Sequence, residues 1–85
     1  MTSLRYVITR PEGLHARPAK DFVKAAQAMP CDVTVAKGQN MTDAKRLLGV
    51  MGLNVMCGEE IIMYFQGDRE EDACAAMRAF LRERM

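Results

Sequence analysis

The stretch GLHARPA, residues 13–19, contains the only histidine of the chain, flanked by a turn-permitting glycine and followed by an arginine and a proline. A neutral imidazole is a nucleophile, and a guanidinium two residues away can make paired hydrogen bonds to phosphate oxygens. Pro18 suits the first turn of a helix, where a missing N–H costs nothing. A helix opening near Ala16 would set His15 at its N-terminus, beside the unpaired amides of Ala16 and Arg17 and the positive end of the dipole. That is an anion site. The lone pair of the neutral ring can attack a phosphoryl group. The amides and Arg17 would then carry the added negative charge, where positioning and electrostatics supply most of the catalysis. A histidine at a helix start can equally be inert, or cap the backbone. Gly13, His15, Arg17 and Pro18 together, between a strand and a helix, favour the chemical reading.

The flanking pattern supplies those elements. Leu4, Tyr6 and Ile8 alternate with Arg5, Val7 and Thr9, as in a strand with one apolar face, and Pro11 with Gly13 ends it. Ala19, Phe22, Val23 and Ala26 then follow the spacing of a helical stripe, with Lys20, Lys24 and Gln27 off it. Pro30 stops this helix near Met29. Val33 and Val35 mark a second strand, KGQN (37–40) a hairpin turn, and Met41 and Thr42 a weak third strand. A short helix is expected over about Lys45 to Gly52, and CGEE (57–60) is a turn. Ile61, Met63 and Phe65 alternate with Ile62 and Tyr64, apolar enough on both sides for a central strand. Asp68 and Glu71 have the spacing of a capping box for a last helix with the stripe Ala73, Met77, Phe80 and Leu81. Arg78, Arg82 and Arg84 suit its C-terminal end.

The order βαββαβα, with short connections, predicts an α+β fold: a two-layer open-faced β-sandwich whose four-stranded, mainly antiparallel sheet carries three helices on one face. A chain of 85 residues buries roughly 60–65% of its unfolded surface, enough for one modest core, so residues 1–85 are expected to form a single domain. No apolar run approaches the ~20 residues of a membrane span, and the N-terminus lacks the apolar region of a signal peptide. A cytoplasmic protein without membrane insertion is expected.

A net charge of +1 argues against a nucleic-acid binder. The charge is uneven, however: residues 1–46 hold eight Lys/Arg against four Asp/Glu, and residues 47–85 four against seven. A basic first half can attract an acidic protein surface. Cys31, Cys57 and Cys74 share no CxxC or Cys/His spacing, so buried reduced thiols and no metal site are expected. Most of the eight methionines are expected in the core.

GLHARPA resembles the phosphorylation-site motif of the HPr family, the histidine phosphocarriers of the bacterial phosphoenolpyruvate:sugar phosphotransferase system. AKRLLGVMGL (44–53) resembles the family's second helix and the segment before it, and the likeness runs nearly end to end. The resemblance implies a stoichiometric carrier rather than an enzyme, without a cofactor. It would accept a phosphoryl group from enzyme I and pass it to the A components of sugar-specific enzymes II. His15 would be the phosphoacceptor, through Nδ1, with Nε2 free to hold a proton and Arg17 as its electrostatic partner. In the short helix Val50 and Leu53 can share a buried face, leaving Leu47, Leu48 and Met51 tending outward. The resemblance makes those three a docking surface, with Lys20, Lys24 and Lys45 as a basic rim; a core role for the former and a merely solvated face for the latter also fit. A monomer is expected.

One position departs from the family. Many Gram-positive relatives carry a regulatory serine before the Leu-Leu pair, where this chain has Arg46, and its only serine is Ser3. A serine switch is therefore not expected, nor is binding to a transcription factor through phosphoserine. Lys20 and Asn54 also replace smaller residues common in the family. Two other readings compete. One is a paralogue serving a nitrogen-related or regulatory phosphorelay. The other is a ferredoxin-like metal- or RNA-binding module, against which stand the missing CxxC pair and the missing aromatic strand cluster.

Overall fold

The computed structural model describes residues 1–85, in which β1 (Thr2–Val7), α1 (Ala16–Gln27), β2 (Asp32–Lys37), β3 (Asn40–Asp43), α2 (Leu47–Gly52), β4 (Glu60–Gln66) and α3 (Glu70–Arg84) follow in order. The strands form one sheet in the order β1-β4-β2-β3, antiparallel at every pairing. The apolar β4 takes a central place, and Met63 lies between Leu4 of β1 and Val35 of β2. A two-residue turn joins β2 to β3 through Gly38, whose φ of 60° suits the twist of a hairpin.

One sheet face is apolar because the strands alternate in phase. Leu4, Val33, Val35, Ile61, Met63 and Phe65 point to the helices and are buried. Against them pack Ala19, Phe22, Val23 and Ala26 of α1 and Ala73, Cys74, Met77 and Leu81 of α3, within a core cluster of 22 buried residues that runs from Leu4 to Met85. Burying a side chain as large as Phe22 or Phe65 contributes roughly 1.5–3 kcal/mol, so this one layer carries most of the stabilisation. Arg5, Ile62, Ala36 and Met41 form a row on the opposite face, which no helix covers. The fold is the α+β open-faced sandwich expected from the element order.

Three local expectations need correction. Asp68 does not cap α3. The helix begins at Glu70 after Arg69, which has a left-handed φ of 54° and makes no side-chain cap. Gly67 (φ 124°) and Arg69 bend the chain so that the Glu70 carboxylate turns back onto the Gly67 N–H at 3.1 Å. It also accepts from the Thr2 hydroxyl at 2.8 Å. A carboxylate still fastens the start of the helix, but from its first turn and back onto an amide two residues before the N-cap, rather than as a cap on the helix's own amides. These bonds hold the Glu70 carboxyl at about 2, chiefly through the Gly67 amide and then the Thr2 hydroxyl.

The methionines and cysteines also divide differently. Only Met63, Met77 and Met85 are buried, while Met1, Met41, Met51 and Met56 are exposed. Cys31 and Cys74 are buried thiols, but Cys57 is exposed. The reason is tertiary: nothing packs over the open sheet face, and the Met51, Met56 and Cys57 side chains stand out from α2 and the loop after it.

Candidate functional site

Residues 8–15 lead from the edge strand to α1, and two neighbours hold that loop. The Leu14 N–H donates to the Val55 carbonyl at 2.9 Å, and the Gly58 N–H donates to the Ile8 carbonyl at 2.7 Å. Leu14 is wholly buried, so it anchors the residue immediately before the histidine in the core. Gly13 has φ 69°, and any Cβ there would collide with the Val55 carbonyl oxygen. Only glycine fits both the conformation and the close approach.

The end of α3 fastens the other side of the loop. The Thr9 and Arg10 N–H groups donate to the Met85 carbonyl oxygen at 2.6 and 2.8 Å. Such bonds restrict the loop before any partner arrives, which lowers the ordering cost of using it.

His15 is the N-cap residue of α1, with extended backbone (φ −131°, ψ 161°) and no side-chain cap. Its ring is half-buried and does not serve as a helix cap. The next residue, Ala16, takes φ 48°, a left-handed conformation that costs an alanine about 1–3 kcal/mol. The Ala16 and Arg17 N–H groups find no backbone acceptor, and Pro18, buried in the first turn, has none to offer. The first protein-bound amide is that of Ala19, which donates to the His15 carbonyl at 3.3 Å. Two free amides and a ring therefore stand together at the positive end of a twelve-residue helix.

Arg17 is exposed, and none of the seven ion pairs of the chain involves it, Lys20 or Lys24. These three cations and Leu47 line an open hollow of about 470 Å³ between α1 and α2, which Asp21 and Gln27 also border. The hollow stops short of His15 itself.

Lys45 is used differently. Its ammonium donates to the Met29 carbonyl at 2.9 Å, and its own carbonyl accepts from Gln27 Nε2 at 3.0 Å. It ties the end of α1 to the start of α2 instead of standing free beside Lys20 and Lys24. Arg46, the N-cap residue of α2, is exposed and only 4.0 Å from Asp43.

The α2 surface splits as its spacing requires, with one correction. Val50 and Leu53 are buried, Leu48 is 85% exposed and Met51 36%. Leu47 does not point outward; it is half-buried and packs against the core at the edge of the hollow. The seat of α2 is fixed at Gly49, where a Cβ would strike the Thr42 side chain of β3. Sequence reasoning did not single out Met56, which is half-exposed and lies against Gly13 on the other side of the histidine loop. No spacing pattern points to a single methionine in a loop.

Comparison with known proteins agrees with this geometry. Residues 2–83 match the family model described as the PTS HPr component phosphorylation site. The chain is 37% identical over 84 residues to the phosphocarrier protein HPr of Streptomyces coelicolor, covering 98% of this chain and 90% of that one. Among solved structures, HPr from Thermoanaerobacter tengcongensis superposes with a TM-score of 0.95 at 32% identity, covering 99% of this chain and 94% of that one. A dimer of HPr from the same organism aligns at 0.77 and 32% identity, over 98% and 95% of the two chains. This chain belongs to the HPr family of phosphocarrier proteins of the phosphotransferase system.

Proposed function

We propose that this chain is a stoichiometric phosphoryl carrier, charged on His15 by enzyme I and discharged to the A components of enzymes II. The observation that carries the reading is the His15 ring beside the two unpaired amides of Ala16 and Arg17 at the start of α1.

In the charging step the Nδ1 lone pair attacks phosphorus, and the bond from phosphorus to the donor breaks as the Nδ1–P bond forms. The proton stays on Nε2. The charge on the phosphoryl oxygens is met by the two amides and by the Arg17 guanidinium, which has no competing acidic partner. Discharge reverses these roles with a different acceptor. No second acid, base or nucleophile is needed, which suits a carrier rather than an enzyme acting on a small substrate.

Leu48 and Met51 form the apolar part of the docking surface, backed by the half-buried Leu47 at the edge of the hollow, and Lys20 and Lys24 form its basic rim. Lys45 contributes by holding α1 and α2 in register. Arg46 leaves no hydroxyl for an ATP-dependent kinase at the start of α2, so control through that position is absent. We place the carrier in the cytoplasm as a monomer; no helix is long and apolar enough to cross a membrane. Light scattering tests the monomer against the dimeric arrangement named for the Thermoanaerobacter relative.

The deciding experiment is incubation with phosphoenolpyruvate and enzyme I, followed by intact-mass measurement. One acid-labile phosphoryl group is expected on the wild-type chain and none on His15→Ala, with both proteins folded. A phosphate stable to acid, or one retained by His15→Ala, would overturn the assignment.

A further inference from the structure

Asp21 is the one carboxylate bordering the hollow that Arg17, Lys20 and Lys24 line. It follows Arg17 by four residues on α1, a spacing at which side chains are neighbours on a helix surface and opposite charges pair. In this structure the two do not pair. The Asp21 Oδ2 atom lies instead 3.7 Å from Nη1 of Arg84, on the last turn of α3, and Arg17 is left without an acidic partner.

Arg84 is held independently of α1. Its guanidinium lies over the Phe80 ring, 5.9 Å from the centroid, and Phe80 packs against the core. Its carbonyl accepts from Arg10 Nη1 at 3.1 Å, and one turn earlier the Leu81 carbonyl accepts from the Tyr6 hydroxyl at 2.9 Å. The cation that engages Asp21 thus comes from a helix end fastened to β1 and to the loop that leads to His15.

We infer that Arg84 is a positioning residue for phosphoryl transfer: by engaging Asp21 from α3 it keeps the Arg17 guanidinium free for the phosphoryl oxygens. The inference rests on the carrier reading proposed above. Without Arg84, the Asp21 carboxylate has Arg17 as its neighbour one turn back and competes with the phosphoryl group for the same donors. Its unmatched negative charge also repels the phosphoryl oxygens. The Asp21–Arg84 pair is solvent-accessible (37% and 53% for the two side chains), so it contributes little to folding. Its effect belongs in transfer, because Arg17 makes its bonds to the phosphoryl group only as that group arrives.

Lys24 lies three residues after Asp21 and is the other cation that a released carboxylate can take. That capture would remove a docking charge and raise KM, whereas capture of Arg17 lowers kcat. The two outcomes are separable.

The test measures kcat and KM of phosphoryl transfer from phosphorylated enzyme I to the wild-type chain, Arg84→Gln, Asp21→Asn and the double variant. Arg84→Gln is expected to lower kcat about two- to five-fold, the scale of an exposed ion pair on a helix surface, with KM nearly unchanged. The double variant should recover the wild-type kcat, since no carboxylate remains to capture Arg17; a merely structural loss would not be recovered. The side-chain Nε resonance of Arg17 should shift in Arg84→Gln and return in the double variant. An unchanged kcat in Arg84→Gln, a loss confined to KM, or a loss that Asp21→Asn does not relieve would overturn the inference alone. A wild-type chain that accepts no phosphoryl group would overturn the carrier reading and this inference with it.

Discussion

Gly13 lies so close to the carbonyl oxygen of Val55 that a side chain at residue 13 has no room, and the next amide, that of Leu14, donates to that same oxygen at 2.9 Å. The loop that presents His15 is therefore seated on the segment after α2, and one carbonyl, that of Val55, couples the proposed phosphoacceptor loop to that segment. Gly13→Ala is expected to destabilise the domain by about 2–4 kcal/mol, combining left-handed strain with overpacking. Urea denaturation measures the loss. Phosphoryl acceptance should fall further than the unfolded fraction explains, because relief of the clash moves the loop.

Arg17 is exposed and unpaired, so removing it should hardly touch folding. Loss of its paired, charge-assisted hydrogen bonds should slow transfer by about 10- to 100-fold, corresponding to roughly 1.5–3 kcal/mol. Rapid-quench kinetics on Arg17→Ala, with circular dichroism as the control, checks both statements. Wild-type kinetics would mean that the amides of Ala16 and Arg17 suffice.

Leu48 projects from α2 with 85% of its surface exposed, so Leu48→Glu should alter stability by no more than about 0.5 kcal/mol. Its affinity for enzyme I should drop about tenfold or more, since a buried interfacial carboxylate must be desolvated. Calorimetric titration and a thermal melt on the same sample separate the two effects. A lowered melting temperature with unaltered affinity would place the docking surface elsewhere.

Glu70 links the start of α3 to Gly67 and Thr2, and its carboxyl is held at about 2 against an ordinary 4.5. A depressed carboxyl stabilises the fold above its unfolded value, and that stabilisation is lost as pH falls through the folded value. The Glu70 contribution is thus full above about 4.5 and fades towards 2. Glu70→Gln should be less stable than wild type at pH 7, and the difference should close as the pH approaches 2. Denaturation curves across that range test it; a gap independent of pH would mean that Glu70 acts through packing.

Much of this was legible in the sequence because it depends on local periodicity. Ala19, Phe22, Val23 and Ala26 repeat at helical spacing and all four are buried, while Ile61, Met63 and Phe65 alternate and point inward from a central strand. The turn at Gly38, the end of α1 before Pro30, and the placing of the histidine at a helix start follow from residue types whose backbone preferences are strong. The candidate site was legible because the ring, the guanidinium and the proline lie within four consecutive residues.

What tertiary structure decided was which nearby groups take each other as partners. Asp68 and Glu71 have the spacing of a capping box, yet Glu70 does the work, because β1 brings Thr2 within reach of its carboxylate. Lys45 looks like a free cation in sequence, but the Met29 carbonyl at the end of α1 claims it. Leu47 turns inward and Leu48 outward because Gly49 lets α2 settle onto Thr42. Asp21 faces Arg84 across 63 positions of chain rather than Arg17 on its own helix. Periodicity assigns a residue to a face, but a polar group is satisfied by whatever donor or acceptor the packing of other elements brings within hydrogen-bonding distance.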